Sequence, residues 1–330
     1  MKITESLSKG LKNRFFLELA DEINKKGQNN PYQNIKVKRT NWGKCVSAFK
    51  TYHKKFTFIF YEGGSQRKPY IGAAGLHINQ KREFNQWNEK CLEGVVAVAS
   101  WDPVVYEYFP GFFNIGEHVI SRLYERGKVR FINEFEVDIF SIMPEFKMVP
   151  LWSGFWTLVF LVFKHNNLHF KEIAEIYPVI PCDSGLLLGE IGSGKTDVLE
   201  IRTFVDFNNL NFDQQEVRKI LIEISEGLIE SPICLMPIVQ ITKIDHYLFQ
   251  TSLMAFEVLK SYDVISRVLF HRIEDDKLRA KLKEEFKFSL KEYSNHVSQE
   301  ELDICRKLGI RSTQILVKKT IFKEQVKRIR

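Results

Sequence analysis

Disulfide and zinc chemistry are the first things this 330-residue sequence lacks. Its five cysteines, Cys45, Cys91, Cys182, Cys234 and Cys305, are odd in number and far apart, with no CxxC pair. A disulfide framework and a structural zinc site are therefore not indicated, and a reducing compartment, the cytoplasm, is expected. No apolar stretch follows Met1–Glu5, so no signal peptide is expected. A membrane partner is not expected either. The best apolar run, Met148–Phe163, is uncharged but only 16 residues long. As a helix it would reach about 24 Å against a hydrocarbon core of about 30 Å. Pro150 and Gly154 interrupt it, and a buried segment is the better reading. Metal-ligand spacing is also missing: His53, His77, His165, His169, His246, His271 and His296 form no such pattern, His165 and His169 being four apart without a third partner. No repeat recurs at a fixed period.

What is present suits a soluble globular chain. Hydrophobic residues make up 44% and charged residues 27%, and the 27 phenylalanines favour a well-packed core. The net charge of +7 is unevenly spread. Residues 1–90 carry 18 Lys/Arg against 7 Asp/Glu and residues 306–330 carry 9 against 1, so the stretch between is acidic. Basic ends of this kind attract a polyanion, most often nucleic acid, and RNA is the partner expected here. A solvated lysine-rich surface would give the same counts.

Apolar spacing predicts a helix over Leu11–Lys26, stopped by Gly27. Strands are expected at Phe56–Tyr61, Tyr70–Ile78 and Val95–Ala99, with Phe109–Asn114 as an aromatic-anchored turn. Asn114 is placed to cap the next helix, Gly116–Arg126, with Glu117 completing a capping box. About four strands are expected after that helix, at Val129–Ile132, Phe155–Phe163, Leu186–Ile191 and Val198–Val205. A helix around Val217–Ile224 ends near Gly227, and the chain from Asp245 to about Tyr293 reads as largely helical. The last stretch, Ile315–Arg330, alternates apolar with basic residues and fits a basic edge strand or a helix lying on a polyanion. The expected class is α+β: a basic α/β region over 1–110, a helix followed by a mostly antiparallel central sheet over 111–210, and a mainly helical region over 211–330.

Gly189-Glu190-Ile191-Gly192-Ser193-Gly194-Lys195-Thr196 fits G-x-x-x-x-G-K-[ST] letter for letter. As a P-loop, its glycine-rich backbone at a helix N-terminus would wrap phosphates. Gly189 and Gly194 would line the cradle, Lys195 would reach the outer phosphates, and Thr196 would meet magnesium, making ATP or GTP with magnesium the cofactor. Thr242-Lys243-Ile244-Asp245 resembles the guanine-specifying element of GTPases. Against this, the P-loop needs a helix directly after Thr196, where Leu199, Ile201, Thr203 and Val205 alternate with Glu200 and Arg202 as a strand does. Gly192-Ser193-Gly194-Lys195 is also a good turn, so a plain hairpin competes with the P-loop and is favoured by periodicity.

The helix Gly116–Arg126 is the other candidate. His118, Arg122 and Arg126 recur every four residues along one face, beside Glu125, with Val119, Ile120, Leu123 and Tyr124 opposite. An imidazole between fixed cations suits general acid–base work on a phosphodiester, the guanidiniums holding phosphate. His118-x-x-x-Arg122-x-x-x-Arg126-Gly127 resembles the helix of small toxin-type, metal-independent ribonuclease domains. In that class helices precede an antiparallel four-stranded sheet, and a Ser, Thr or Tyr on a late strand often completes the site. The resemblance, ten residues and an element order, implies His118, Arg122, Arg126 and Thr203 as site residues and no metal. A solvated charged face with Arg–Glu125 pairing is the bland alternative. A metal-dependent nuclease pattern, Asp183 with Glu200-Ile201-Arg202 or Asp138 with Glu145-Phe146-Lys147, is more permissive still. Three function classes therefore stand: a ribonuclease-like nucleic-acid enzyme, a P-loop nucleotide-binding protein, and a non-enzymatic nucleic-acid-binding or assembly protein.

Overall fold

The computed structural model describes residues 3–28, 42–53, 57–64, 69–78, 89–100, 106–149, 152–153, 156, 178–191, 199–230, 262–270 and 273–295. The chain is α+β. Helices α1 (Glu5–Gln28) and α2 (Trp42–His53) lead into strands β1 (Thr57–Gly64), β2 (Pro69–Ile78), β3 (Cys91–Ser100) and β4 (Tyr106–Gly116). Helix α3 (Glu117–Arg126) and a 3-10 helix (Ile139–Phe146) precede β5 (Val179–Pro181), β6 (Gly185–Ile191) and β7 (Leu199–Asp206). Helices α4 (Phe212–Glu230), α5 (Tyr262–Phe270) and α6 (Asp276–Asn295) follow. Among the described residues no helix is long and apolar enough to cross a membrane.

One sheet holds the seven strands of the described residues, in the order β1-β2-β3-β4-β7-β6-β5. Every neighbouring pair is antiparallel except β4 and β7, which run parallel through Phe113–Leu199, Asn114–Glu200 and Ile115–Ile201. A parallel pair cannot be closed by a tight turn, and α3 begins the crossover between these two strands. The sheet thus runs through the expected boundary at residue 110, which falls inside β4. Among the described residues four strands precede α3 and three follow it, so the sheet that follows the helix as expected also takes in the strands before it.

Other expectations change for local reasons. Phe109–Asn114 is not a turn but part of β4. Its Pro110 is tolerated because Val95 pairs with Pro110 and Glu93 with Asn114, leaving extra β4 residues bulged opposite Gly94. Val129–Ile132 forms no strand, only one bridge between Phe131 and Val137. Asn114 does not cap α3: the N-cap is Gly116, without a side-chain hydrogen bond, and Glu117 instead binds Lys12 Nζ at 2.8 Å. Helix α1 continues past Gly27, and α4 past Gly227. Of Phe155–Phe163 only Trp156, buried, is described; Asp245–Ser261 and Ile315–Arg330 lie outside the described residues.

The two faces of the sheet differ by strand alternation. Ile78, Leu92, Ile115, Ile201 and Gly189 are successive partners across β2, β3, β4, β7 and β6, and this face is apolar. Val119, Ile120, Leu123 and Tyr124 of α3 join the same core, with Leu11, Phe15 and Leu19 of α1. The rings of Phe15 and Tyr124 meet edge-on at 6.5 Å, and the Tyr124 hydroxyl donates to the Ile139 carbonyl. Each such side chain contributes about 1.5–3 kcal/mol on full burial. A second buried centre pins the β5–β6 turn. The Glu145 carboxylate accepts from Ser184 N–H at 2.9 Å and from Ser184 Oγ–H at 2.5 Å, while Arg218 donates to the carbonyls of Gly185 and Cys182.

Two outcomes follow from this packing. A Cβ at Gly94 would lie 2.3–2.7 Å from the buried Phe113 ring. Gly94→Ala is therefore expected to lower stability in urea unfolding by about 1–3 kcal/mol, with Phe113→Leu restoring part of the loss in the double variant. Burial raises the Glu145 carboxyl above its ordinary value of 4.5, with the hydrogen bonds from Ser184 opposing it. The folded state therefore holds that proton more tightly than the unfolded chain. The stabilisation is full below the unfolded value and is lost as pH rises through the folded one. The melting-temperature advantage of the native protein over Glu145→Gln should accordingly shrink as the pH is raised above 4.5.

Candidate functional site

Helix α3 leaves the end of β4 and packs its apolar stripe into the core, so its polar stripe faces outward at one end of the sheet. His118 and Arg122 are one turn apart on that stripe. Arg122 Nε–H donates to His118 Nε2 at 3.4 Å, a long bond that nonetheless requires a lone pair on Nε2. Arg122 Nη1 also meets Glu125 Oε2 at 2.9 Å, and Arg126 Nε lies 3.7 Å from Glu125 Oε1. One carboxylate thus holds both guanidiniums.

Across from α3, β7 carries a bulge. Leu188 pairs with Thr203 and Gly189 with Ile201, so Arg202 is the extra residue on β7. Bulges turn a side chain out of the regular alternation. The Arg202 guanidinium lies 3.7 Å from Glu190 Oε1, and its charge reaches His118. The His118 ring touches solvent, yet its pKa is lowered from 6.5. Partial burial is the largest cause, then the Arg122 charge; Glu89 and Glu125 oppose it, and Arg202 lowers it further.

The expected site residues are therefore only partly brought together. His118 and Arg122 are adjacent. Arg126, eight residues from His118, sits about 12 Å further along the helix axis, beyond reach of a phosphate held at His118. Thr203 pairs with Leu188 and has no hydrogen bond to His118 among the described residues; the β7 residue whose charge reaches the imidazole is Arg202. Of the P-loop residues, Gly189 is buried inside β6, where a Cβ would meet the Glu200 carbonyl at 2.7 Å. Its glycine is required by close strand approach. Gly194, Lys195 and Thr196 lie outside the described residues. The next described residues form strand β7, antiparallel to β6, which is the arrangement the hairpin reading expected.

The metal-nuclease pairings also come apart. Gly185 pairs with Asp206, six residues along β7 from Glu200, so Asp183 is about 20 Å from Glu200. Asp138 pairs with Arg130 and caps the 3-10 helix, while Glu145 holds Ser184. Among the described residues no group of acids, histidines or cysteines is arranged to hold a metal ion.

Sequence reasoning missed a polar row on the face opposite the core. His77, Glu93, Asn114, Glu200 and Glu190 are successive partners across five strands. Glu93 and Glu200 are buried, and Asn114 Oδ1 is buried without a hydrogen-bond partner. Cys91, on the same face, is pushed up to about 12 by burial and by Glu200, Glu93 and Glu89. Alternation along each strand assigns these residues to one face, but only the register shows that they align. No family model matches the chain, and neither a curated protein nor a solved structure is significantly similar to it.

These charges make the His118 titration a direct readout of the site. Removing Arg202 in Arg202→Ala should raise the His118 midpoint measured by NMR, and Glu125→Gln should lower it further. No movement in Arg202→Ala would separate α3 from β7 electrostatically.

Proposed function

We propose that the protein binds RNA and cleaves its phosphodiester backbone, with His118 as the acid–base group and Arg122 and Arg202 as the phosphate-holding cations. The observation that carries this reading is that the Arg122 guanidinium lies 3.4 Å from His118 Nε2 on the exposed stripe of α3, with the charge of Arg202 on β7 also lowering the imidazole pKa. A lowered pKa keeps His118 neutral at pH 7, the state a general base needs. An RNA phosphate that engages Arg122 draws its guanidinium away from Nε2 and leaves that lone pair for the ribose 2′-hydroxyl.

His118 then takes the 2′-hydroxyl proton as the 2′-oxygen attacks the adjacent phosphorus. The P–O5′ bond breaks, the 5′-oxygen takes up a proton, and a 2′,3′-cyclic phosphate remains. The two guanidiniums stabilise the extra negative charge on the pentacoordinate phosphorane. Arg126, further along α3, suits a second phosphate of the same strand.

The test is cleavage of a single-stranded RNA in the presence of EDTA. His118→Ala is expected to lower the rate about 10²–10⁴-fold, as loss of general acid–base catalysis does. Lys195→Ala is expected to leave the rate unchanged. Salt-sensitive RNA binding with no turnover would replace the enzyme by a binding protein. Magnesium-dependent nucleotide binding lost in Lys195→Ala would overturn the reading altogether.

A further inference from the structure

Between α3 and the 3-10 helix the chain makes a short hairpin whose backbone is tied down and whose tip is apolar. Phe131 bridges to Val137, Asp138 N–H donates to the Arg130 carbonyl at 2.9 Å, and Ile132 N–H donates to the Glu136 carbonyl at 2.8 Å. Asn133 Oδ1 accepts from Phe135 N–H at 2.9 Å, Asn133 Nδ2–H donates to Glu136 Oε2 at 3.2 Å, and Arg130 pairs with Asp138 across the base. Val137 is buried and anchors the hairpin in the core. Held by this frame, Ile132 is 65% exposed and Phe135 89% exposed. Single exposed apolar residues need no explanation, but two on one tip that cannot fold back onto the core mark a contact surface.

The charges beside the tip select its partner. Glu134 and Glu136 flank Phe135, and both are exposed. Two carboxylates repel nucleic acid and anionic lipid, and they repel a second copy of the same tip. They suit a segment that alternates apolar side chains with cations, whose Lys or Arg groups can pair with the carboxylates and sit over the Phe135 ring. The sequence contains such a segment. Ile315–Arg330 has six Lys/Arg and one Glu interleaved with Ile, Leu, Val and Phe.

We infer that the hairpin tip Ile132–Glu136 of one copy receives the basic stretch Ile315–Arg330 of a second copy. Such a contact is head-to-tail, so it leaves a tip and a basic stretch open at each end and grows a series unless a rotation closes it. Burying one phenylalanine and its neighbour removes on the order of a few hundred Å². That is far below the roughly 1,200 Å² of a stable interface. The association is accordingly weak, dependent on concentration and sensitive to salt.

Sedimentation velocity of the nucleic-acid-free full chain over a range of concentrations tests this without reference to any activity. The average mass is expected to rise with concentration at low salt and to return to that of a monomer in Phe135→Ser, in Glu134→Lys/Glu136→Lys, and on deletion of residues 315–330. Combining Glu134→Lys/Glu136→Lys with Lys318→Glu/Lys319→Glu in one chain should restore the association. Unchanged thermal unfolding of the tip variants shows that they remain folded, as expected for exposed side chains. A native chain that stays monomeric throughout, or an association that the tip variants leave intact, would overturn the inference.

Discussion

The parallel seam between β4 and β7 is the contact on which the rest of the molecule depends. Two antiparallel sets, β1–β4 and β5–β7, meet only there within the sheet, through Phe113–Leu199, Asn114–Glu200 and Ile115–Ile201. Parallel strands require a crossover, and α3 starts it. The apolar residues at the seam, Phe113, Ile115, Leu199 and Ile201, share one buried core with the four apolar residues of α3. The seam therefore fixes α3 against the sheet. The end of α3 that carries His118 is fixed with it, beside the turn of β7 that carries Arg202.

The same seam explains why the opposite face is polar yet buried. Register across five strands is continuous, so a polar residue in β3 has a polar neighbour in β4 and β7. Glu93, Asn114 and Glu200 come together in this way. Two buried carboxylates separated by only one strand are costly unless other groups compensate them. Burial first, and then the charges of Glu200, Glu93 and Glu89, raise the Cys91 thiol on this face. Arg202 stands at the edge of this acidic row, beside Glu190, and its charge reaches across to His118. The site is thus a boundary between an acidic sheet face and a basic helix stripe.

Much of the architecture was legible in the sequence because periodicity survives burial. The alternation of Leu199, Ile201, Thr203 and Val205 with Glu200 and Arg202 separated strand from helix where the glycine-rich motif suggested otherwise. The α3 stripe of Val119, Ile120, Leu123 and Tyr124 gave its buried face. What was not legible depended on partners distant in sequence. Phe109–Asn114 looks like a turn because Pro110 and Gly111 interrupt it, and only pairing with β3 through a bulge makes it a strand. Asn114 looks like a cap by position, yet its place in β4 gives it β3 and β7 as neighbours. Thr203 was expected because the resemblance implies a Ser, Thr or Tyr on a late strand, whereas the β7 residue whose charge reaches His118 is the bulged Arg202.

That bulge shows how little is needed to define such a site. In regular pairing from Glu190–Glu200, Gly189 would face Ile201 and Leu188 would face Arg202, and each residue of β7 would keep its side of the sheet. One additional residue breaks that count after Ile201 and sends Leu188 to Thr203 instead. The extra side chain is freed from strict alternation and is a cation rather than an apolar residue. Gly189 sits at the same step, where any Cβ would meet the Glu200 carbonyl. The glycine that gives the sequence its nucleotide-loop appearance is therefore the residue that lets the strands close around the bulge. The close approach of β6 to β7 at Gly189 lies one step from the bulged Arg202, so the glycine and the cation belong to the same local irregularity of the sheet.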